Sequence, residues 1–236
     1  MSTQLTWQGH GTWLIQSGEH KIVLDPFFDE NPAATVKADE VDADFILVSH
    51  GHFDHVGARA DGSYDLVEIA KRTGAQVVTM HEIAGWLSSS QEVENVAGMN
   101  IGGKIDLPFG QVKMVPAVHS STLPDGTSGG VPAGFILTLQ EGKVYFACDT
   151  GLFSDMKLIG EEGIELAVLP IGDLYTMGPE DSITATKWIQ PNQVAPAHYG
   201  TWPPIEQDAA AWAEEIRSQT NAKSHVINPG DTITLG

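Results

Sequence analysis

Cysteine is almost absent from this 236-residue chain. Cys148 stands alone, so no intramolecular disulfide can form and no cysteine-rich zinc module is encoded. Basic residues are also scarce: 12 Lys and Arg face 31 Asp and Glu, a formal net charge of −19. That field repels polyanions and argues against nucleic acid or a membrane surface as partner, while leaving room for a small molecule. No apolar run approaches the ~18 residues of a membrane span. The stretch Met1–Leu14 has no basic segment followed by an apolar one. A cytoplasmic protein is the expectation. Repeats and low-complexity tracts are missing as well, and with 42% hydrophobic residues the chain can bury a sizeable core. One domain over 1–236 is expected.

Glycine and proline, 25 and 13 in number, are spread along the whole length and imply many turns between short elements. Composition and periodicity predict strands at Leu5–Trp7, Thr12–Gln16, Lys21–Leu24, Phe45–Ser49, Gln76–Thr79, Gln111–Val115 and Phe135–Leu139. Further strands are predicted at Val144–Ala147, Leu166–Leu169, Gln193–Pro196, His225–Asn228 and Thr232–Leu235. Helices are predicted at Tyr64–Arg72, Glu82–Ser88, Pro179–Ile189 and Ile205–Arg217, the last from apolar positions at helical spacing. The order of these elements predicts an α/β protein with two sheets in a sandwich and helices outside.

Nine histidines occur, three of them within Ser49-His50-Gly51-His52-Phe53-Asp54-His55, straight after the apolar segment Phe45–Val48. Imidazole suits borderline divalent ions, and carboxylate adds charge to such a site. Alternate residues of an extended chain point the same way, so His50 and His52 can face one ion. A turn into a helical segment then brings Asp54 and His55 to a second. Four ligands are too few for two ions. His119, Asp149 and His198 each follow a predicted strand and are the candidates to complete the set; singly, each is as compatible with an ordinary turn residue. Asp25, after the strand Lys21–Leu24, is either a turn carboxylate or the partner of a ligand histidine. His10, in Gly9-His10-Gly11, is either solvated or part of a pocket. His20, His81 and His225 lack partners in any motif.

Taken together, the pattern HxHxDH followed by His119, Asp149 and His198 resembles the metallo-β-lactamase superfamily. The resemblance runs through Gly9-His10-Gly11-Thr12, Ile22-Val23-Leu24-Asp25-Pro26, Ala117-Val118-His119-Ser120-Ser121 and Pro196-Ala197-His198-Tyr199-Gly200-Thr201. It is strongest toward a branch of metal-dependent hydrolases related to L-ascorbate-6-phosphate lactonase. Two departures are visible: Arg59–Ser63 are extra residues after the histidine loop, and Cys148 stands where the family usually has glycine.

The resemblance implies a four-layer αββα sandwich of two mixed β-sheets. It implies His50, His52 and His119 around one ion, Asp54, His55 and His198 around a second, and Asp149 bridging them. The ions would be zinc, with manganese or nickel as alternatives. It also implies a metal-dependent hydrolase that uses a hydroxide bridging the ions to cleave a small ester, lactone or phosphoester. Asp54 or Asp149 would orient that hydroxide, and His10 would serve catalysis at the leaving group. A phosphodiesterase or phospholipase-like enzyme with the same dinuclear site is the alternative. A di-iron redox protein would want an extra acid in the loop, where this chain has His52. Relatives of this kind often associate, so a homo-oligomer is an expectation too.

Overall fold

The computed structural model describes residues 2–236. The first half of the chain supplies β1 (Thr3–Trp7), β2 (Trp13–Ser17), β3 (His20–Leu24), β4 (Phe45–Val48), β5 (Gln76–Met80) and β6 (Val96–Met99). The second half supplies β7 (Lys104–Leu107), β8 (Gly110–Pro116), β9 (Ala133–Leu139), β10 (Gly142–Phe146), β11 (Ile164–Pro170), β12 (Gln193–Ala197), β13 (Lys223–Ser224) and β14 (Thr232–Leu235). Helices are α1 (Phe53–Val56), α2 (Asp65–Thr73), α3 (His81–Ser90), α4 (Met156–Gly160), α5 (Pro179–Ile189) and α6 (Ala209–Gln219).

Two seven-stranded sheets form, in the orders β14-β1-β2-β3-β4-β5-β6 and β13-β12-β11-β10-β9-β8-β7. Both are mixed. In the first, β14 and β1 to β3 pair antiparallel while β3 to β6 run parallel; in the second, β7 to β10 pair antiparallel and β10 to β13 run parallel. The α/β architecture of two mixed sheets with helices outside is therefore the one expected.

Period-two alternation explains how the second sheet serves two cores at once. Phe135, Leu137, Val144, Phe146, Leu166 and Val168 face the first sheet in one large apolar cluster. Their neighbours Ile136, Tyr145, Ala167 and Leu169 face the other way, into a second cluster with Met156 of α4, Ile183 of α5 and Trp212 of α6. β4 is buried at all four positions, because α2 and α3 cover the face that the sandwich does not.

Several elements differ from the sequence expectation. The last helix begins at Ala209 rather than Ile205, because Pro203 and Pro204 hold a short 3₁₀ turn and Asp208 caps the helix by accepting from the Ala211 amide. His225–Asn228 is not a strand: pairing with β12 is confined to Lys223 and Ser224, although the His225 amide still donates to Val194. β6, β7 and α4 were not anticipated. β6 is the half-exposed segment Val-Ala-Gly-Met, and α4 is one turn long.

Candidate metal centre

The site lies where strands end. β4 runs into His50 and His52, β8 leads to His119, β10 to Asp149, β12 to His198, and the turn between β1 and β2 carries His10. Ligands thus come from the rims of both sheets, which the fold brings together across the sandwich. Two of these residues, His10 (φ 54°) and His198 (φ 53°), sit in the left-handed region, as do Asp25 (φ 46°) after β3 and Cys148 (φ 53°) before Asp149. Such backbone is costly for residues with a Cβ and gathers where a side chain must be aimed. Cys148 occupies the position at which the resemblance expects glycine, and its positive φ is the physical reason for that expectation.

His50 and His52 do converge, Nε2 to Nδ1 at 3.0 Å, and His119 Nε2 stands 3.3 Å from the same His52 atom. The single-turn helix α1, stopped by Gly57 in the left-handed region, directs Asp54 and His55 inward. Asp149 lies at the centre. Its Oδ2 is 3.0 Å from His198 Nε2, 3.4 Å from His55 Nε2, 3.6 Å from His119 Nε2 and 3.9 Å from His50 Nε2. Asp54 Oδ2 is 3.9 Å from His198 Nε2. All seven residues singled out in the sequence are brought together, while His20, His81 and His225 lie outside these groupings.

Asp25 and Ser49 set the proton positions. Asp25 Oδ2 accepts from Ser49 Oγ at 2.7 Å and from His55 Nδ1 at 2.8 Å, while Oδ1 accepts from the Ser49 amide. Ser49 has one hydroxyl proton and gives it to the carboxylate, which only accepts. Its oxygen, 2.9 Å from His50 Nδ1, must therefore accept the Nδ1 proton of His50. Both His50 and His55 are thus held with their Nε2 atoms facing the centre. Sequence reasoning missed Ser49; the signal was a polar residue ending an otherwise apolar strand, directly before the first histidine.

His10 is wholly buried rather than solvated. Its Nδ1 meets Thr201 Oγ1 and its Nε2 meets Asp54 Oδ2, both at 2.9 Å, and its carbonyl accepts from Trp7 Nε1 and the His198 amide. Burial and the neighbouring His198 push its pKa down to about 4, so it is neutral at pH 7 and donates to Asp54 from Nε2.

Electrostatics show what the cluster demands. Asp25, Asp54 and Asp149 are buried together, and none of the 12 Lys and Arg stands in 8–12, 25–35, 49–58, 117–132, 147–155, 170–178 or 197–208, the segments that build the site. Burial opposes ionisation of Asp54 and Asp149, yet the facing histidines hold both below the usual carboxylate range. Burial likewise opposes charge on His55, but Asp149, Asp25 and Asp54 raise its pKa. His50 goes the other way: burial and the adjacent His55 lower it. Buried carboxylates need compensating positive charge. His55 Nε2, Asp149 Oδ1 and both ring nitrogens of His198 are buried without a hydrogen-bond partner. His198 Nε2 counts among them although Asp149 Oδ2 is close, because the approach lacks hydrogen-bond direction. Borderline donors, excess negative charge and buried polar atoms without partners fit divalent cations.

Comparison with known proteins agrees with this chemistry. The family model described as a beta-lactamase superfamily domain matches residues 4–198. A metal-dependent hydrolase of Heliobacterium modesticaldum is 44% identical, over 98% of this chain and 97% of its own. One from Thermus thermophilus is 43% identical, over 98% and 99%. Among solved structures, a metallo hydrolase from the hyperthermophilic archaeon Ignicoccus hospitalis is 35% identical and gives a TM-score of 0.87, covering 100% of this chain and 99% of its own.

Proposed function

Because the chain belongs to the metallo-β-lactamase superfamily and is a metal-dependent hydrolase, we propose that its seven convergent side chains hold two divalent ions for cleaving a small ester, lactone or phosphoester. The observation that carries this reading is the position of Asp149, whose Oδ2 lies within 3.9 Å of Nε2 on four histidines drawn from three separate loops. His50, His52 and His119 would hold one ion; Asp54, His55 and His198 would hold the other; Asp149 would bridge. Zinc suits this donor set, and manganese or nickel are the alternatives. When bound, such ions lower the pKa of a water toward ~7 and polarise the bond to be broken.

The protein's own residues do the rest. Asp25 and Ser49 hold the Nδ1 protons of His50 and His55, so that each Nε2 faces the centre and would bind an ion there, in His55 by giving up its proton. His10 donates to Asp54 Oδ2 and fixes the direction in which that carboxylate presents its other oxygen. Asp54 and Asp149 orient the attacking water. His10 was expected at the leaving group, but both its ring nitrogens are engaged, by Thr201 and Asp54, so it is read instead as a positioning residue acting through Asp54. The whole chain works as one domain in this scheme, since both sheets contribute ligands.

Metal analysis combined with turnover tests the proposal. The purified protein should carry about two ions per chain, and Asp149→Ala should lose at least one together with nearly all activity. Full metal occupancy in that variant would overturn the bridging role. A panel of lactones, aryl esters and phosphodiesters, run separately with zinc, manganese and nickel, then fixes the bond and the metal.

A further inference from the structure

The surface around the site points to a substrate class. Among the described residues, seven large hydrophobic side chains are exposed, and five of them stand on the segments that build the site: Phe53, Val118, Val131, Leu174 and Tyr175. Exposed apolar side chains scattered singly need no explanation, but a concentration on the segments that carry the candidate ligands does. Phe53, 51% exposed, immediately precedes Asp54. Its ring lies 5.8 Å from Trp202, which lies 4.8 Å from the buried His10. An aromatic path therefore runs from the centre outward. On another side, the Val118 amide donates to Thr150 Oγ1 and the Met177 amide donates to the Thr150 carbonyl. Val118 and the turn bearing Leu174 and Tyr175 are thus both anchored to the residue after Asp149.

The same segments contain no Lys or Arg. The cations nearest to them in sequence are engaged elsewhere: Lys37 with the Asp29 carbonyl, Arg59 with Asp29, Asp65 and Glu68, and Lys157 over the Trp188 ring at 4.8 Å. Away from the proposed ions, a phosphoryl or carboxylate group on a substrate would find no guanidinium or ammonium to meet its oxygens, and would approach a protein of net charge −19. An uncharged apolar group would find rings and methyls.

Resting on the hydrolase reading above, we infer that the substrate is an uncharged carboxylic ester or lactone bearing an apolar chain or ring, with Phe53, Trp202 and Val118 contacting that apolar part. Phosphoesters, phosphodiesters and phosphorylated lactones are then poor substrates. In the reaction, water adds its oxygen to the carbonyl carbon, the acyl C–O bond breaks, and the departing alkoxide takes one proton from that water.

The test is a series of p-nitrophenyl acetate, hexanoate and octanoate beside bis-p-nitrophenyl phosphate, with N-octylpyrrolidone, a neutral lactam, titrated calorimetrically into the protein as isolated. Full burial of one methylene is worth about fourfold in affinity. Partial burial should therefore raise kcat/KM at least tenfold from acetate to hexanoate. Phe53→Ala should remove about tenfold of the octanoate rate and weaken lactam binding similarly. Val118→Lys should gain about fivefold on the phosphodiester, the worth of one nearby charge in water. A wild-type preference for the phosphodiester, or chain-length independence, would overturn the inference. So would a Phe53→Ala effect confined to the sedimentation coefficient, which would assign these side chains to a contact between copies. If no substrate is turned over, the hydrolase reading fails, and lactam binding still decides this one.

Discussion

Asp25 grips His55 across thirty positions of sequence, its Oδ2 2.8 Å from Nδ1, and the same oxygen holds Ser49, which in turn holds His50. One carboxylate therefore sets the orientation of two candidate ligands, one for each proposed ion. Asp25→Asn tests this cleanly, because asparagine tolerates the left-handed backbone found there (φ 46°). An amide cannot accept from three donors as the carboxylate does. Metal affinity, measured by competition with a chelator, should fall about 10–100-fold while the circular dichroism spectrum is unchanged. Undiminished affinity would make Asp25 a turn residue only.

His10 invites a two-variant comparison. The ring meets Asp54 through Nε2 and Thr201 through Nδ1. His10→Asn tolerates the positive φ but is too short to reach Asp54, so kcat should fall at least tenfold with metal content unchanged. His10→Gln restores an N–H near the Nε2 position and should recover a good part of that loss. Equal loss of metal and activity in both variants would place His10 among the ligands.

Much of this site was legible in one stretch, because His50, His52, Asp54 and His55 fall on consecutive turns of a chain that changes from extended to helical. His119, Asp149 and His198 were visible only as polar residues after strands, and the fold supplied the reason they meet: β8, β10 and β12 lie in one sheet. Ser49 was not legible, and for His10 the residues alone left two readings, solvated or in a pocket, of which the resemblance favoured the second. A serine after a strand looks like any turn, and a histidine between two glycines does not announce its partner Thr201, 191 residues away. In the fold, apolar strands such as β4 and β11 announced themselves, whereas β6 (Val-Ala-Gly-Met) buries no complete face and carries no alternation.

Arg59, directly after the histidine loop, has a structural role of its own. Arg59 binds Asp65 (Nε to Oδ1, 2.6 Å), Asp29 (3.0 Å) and Glu68 (2.6 Å), and the fully buried Asp65 receives the amides of Phe28 and Asp29. Arg59 thus neutralises a carboxylate that pins the loop after Asp25. Arg59→Met leaves Asp65 its backbone donors but removes its counter-charge. Stability to urea should fall by about 2–3 kcal/mol, less than for a wholly unpaired buried charge. A change under about 0.5 kcal/mol would show that Asp65 needs no counter-charge from Arg59.

Glu162 provides a pH test remote from the metal centre. It joins Lys113 of β8 at 2.6 Å to Lys143 of β10 at 2.7 Å, two strands separated by β9. The hydrogen bonds from the two lysines, Lys113 foremost, lower its pKa from 4.5 to about 2. The folded form therefore holds the ionised state more strongly than the unfolded chain does. That contribution is complete above pH 4.5, fades as the pH falls toward 2, and is gone below it. Glu162→Gln should cost about 1 kcal/mol at pH 7, because water screens a partly exposed cluster. The difference between variant and wild type should shrink steadily below pH 4.5. Parallel stability curves from pH 7 to pH 2 would show that the two lysines are held by solvent rather than by Glu162.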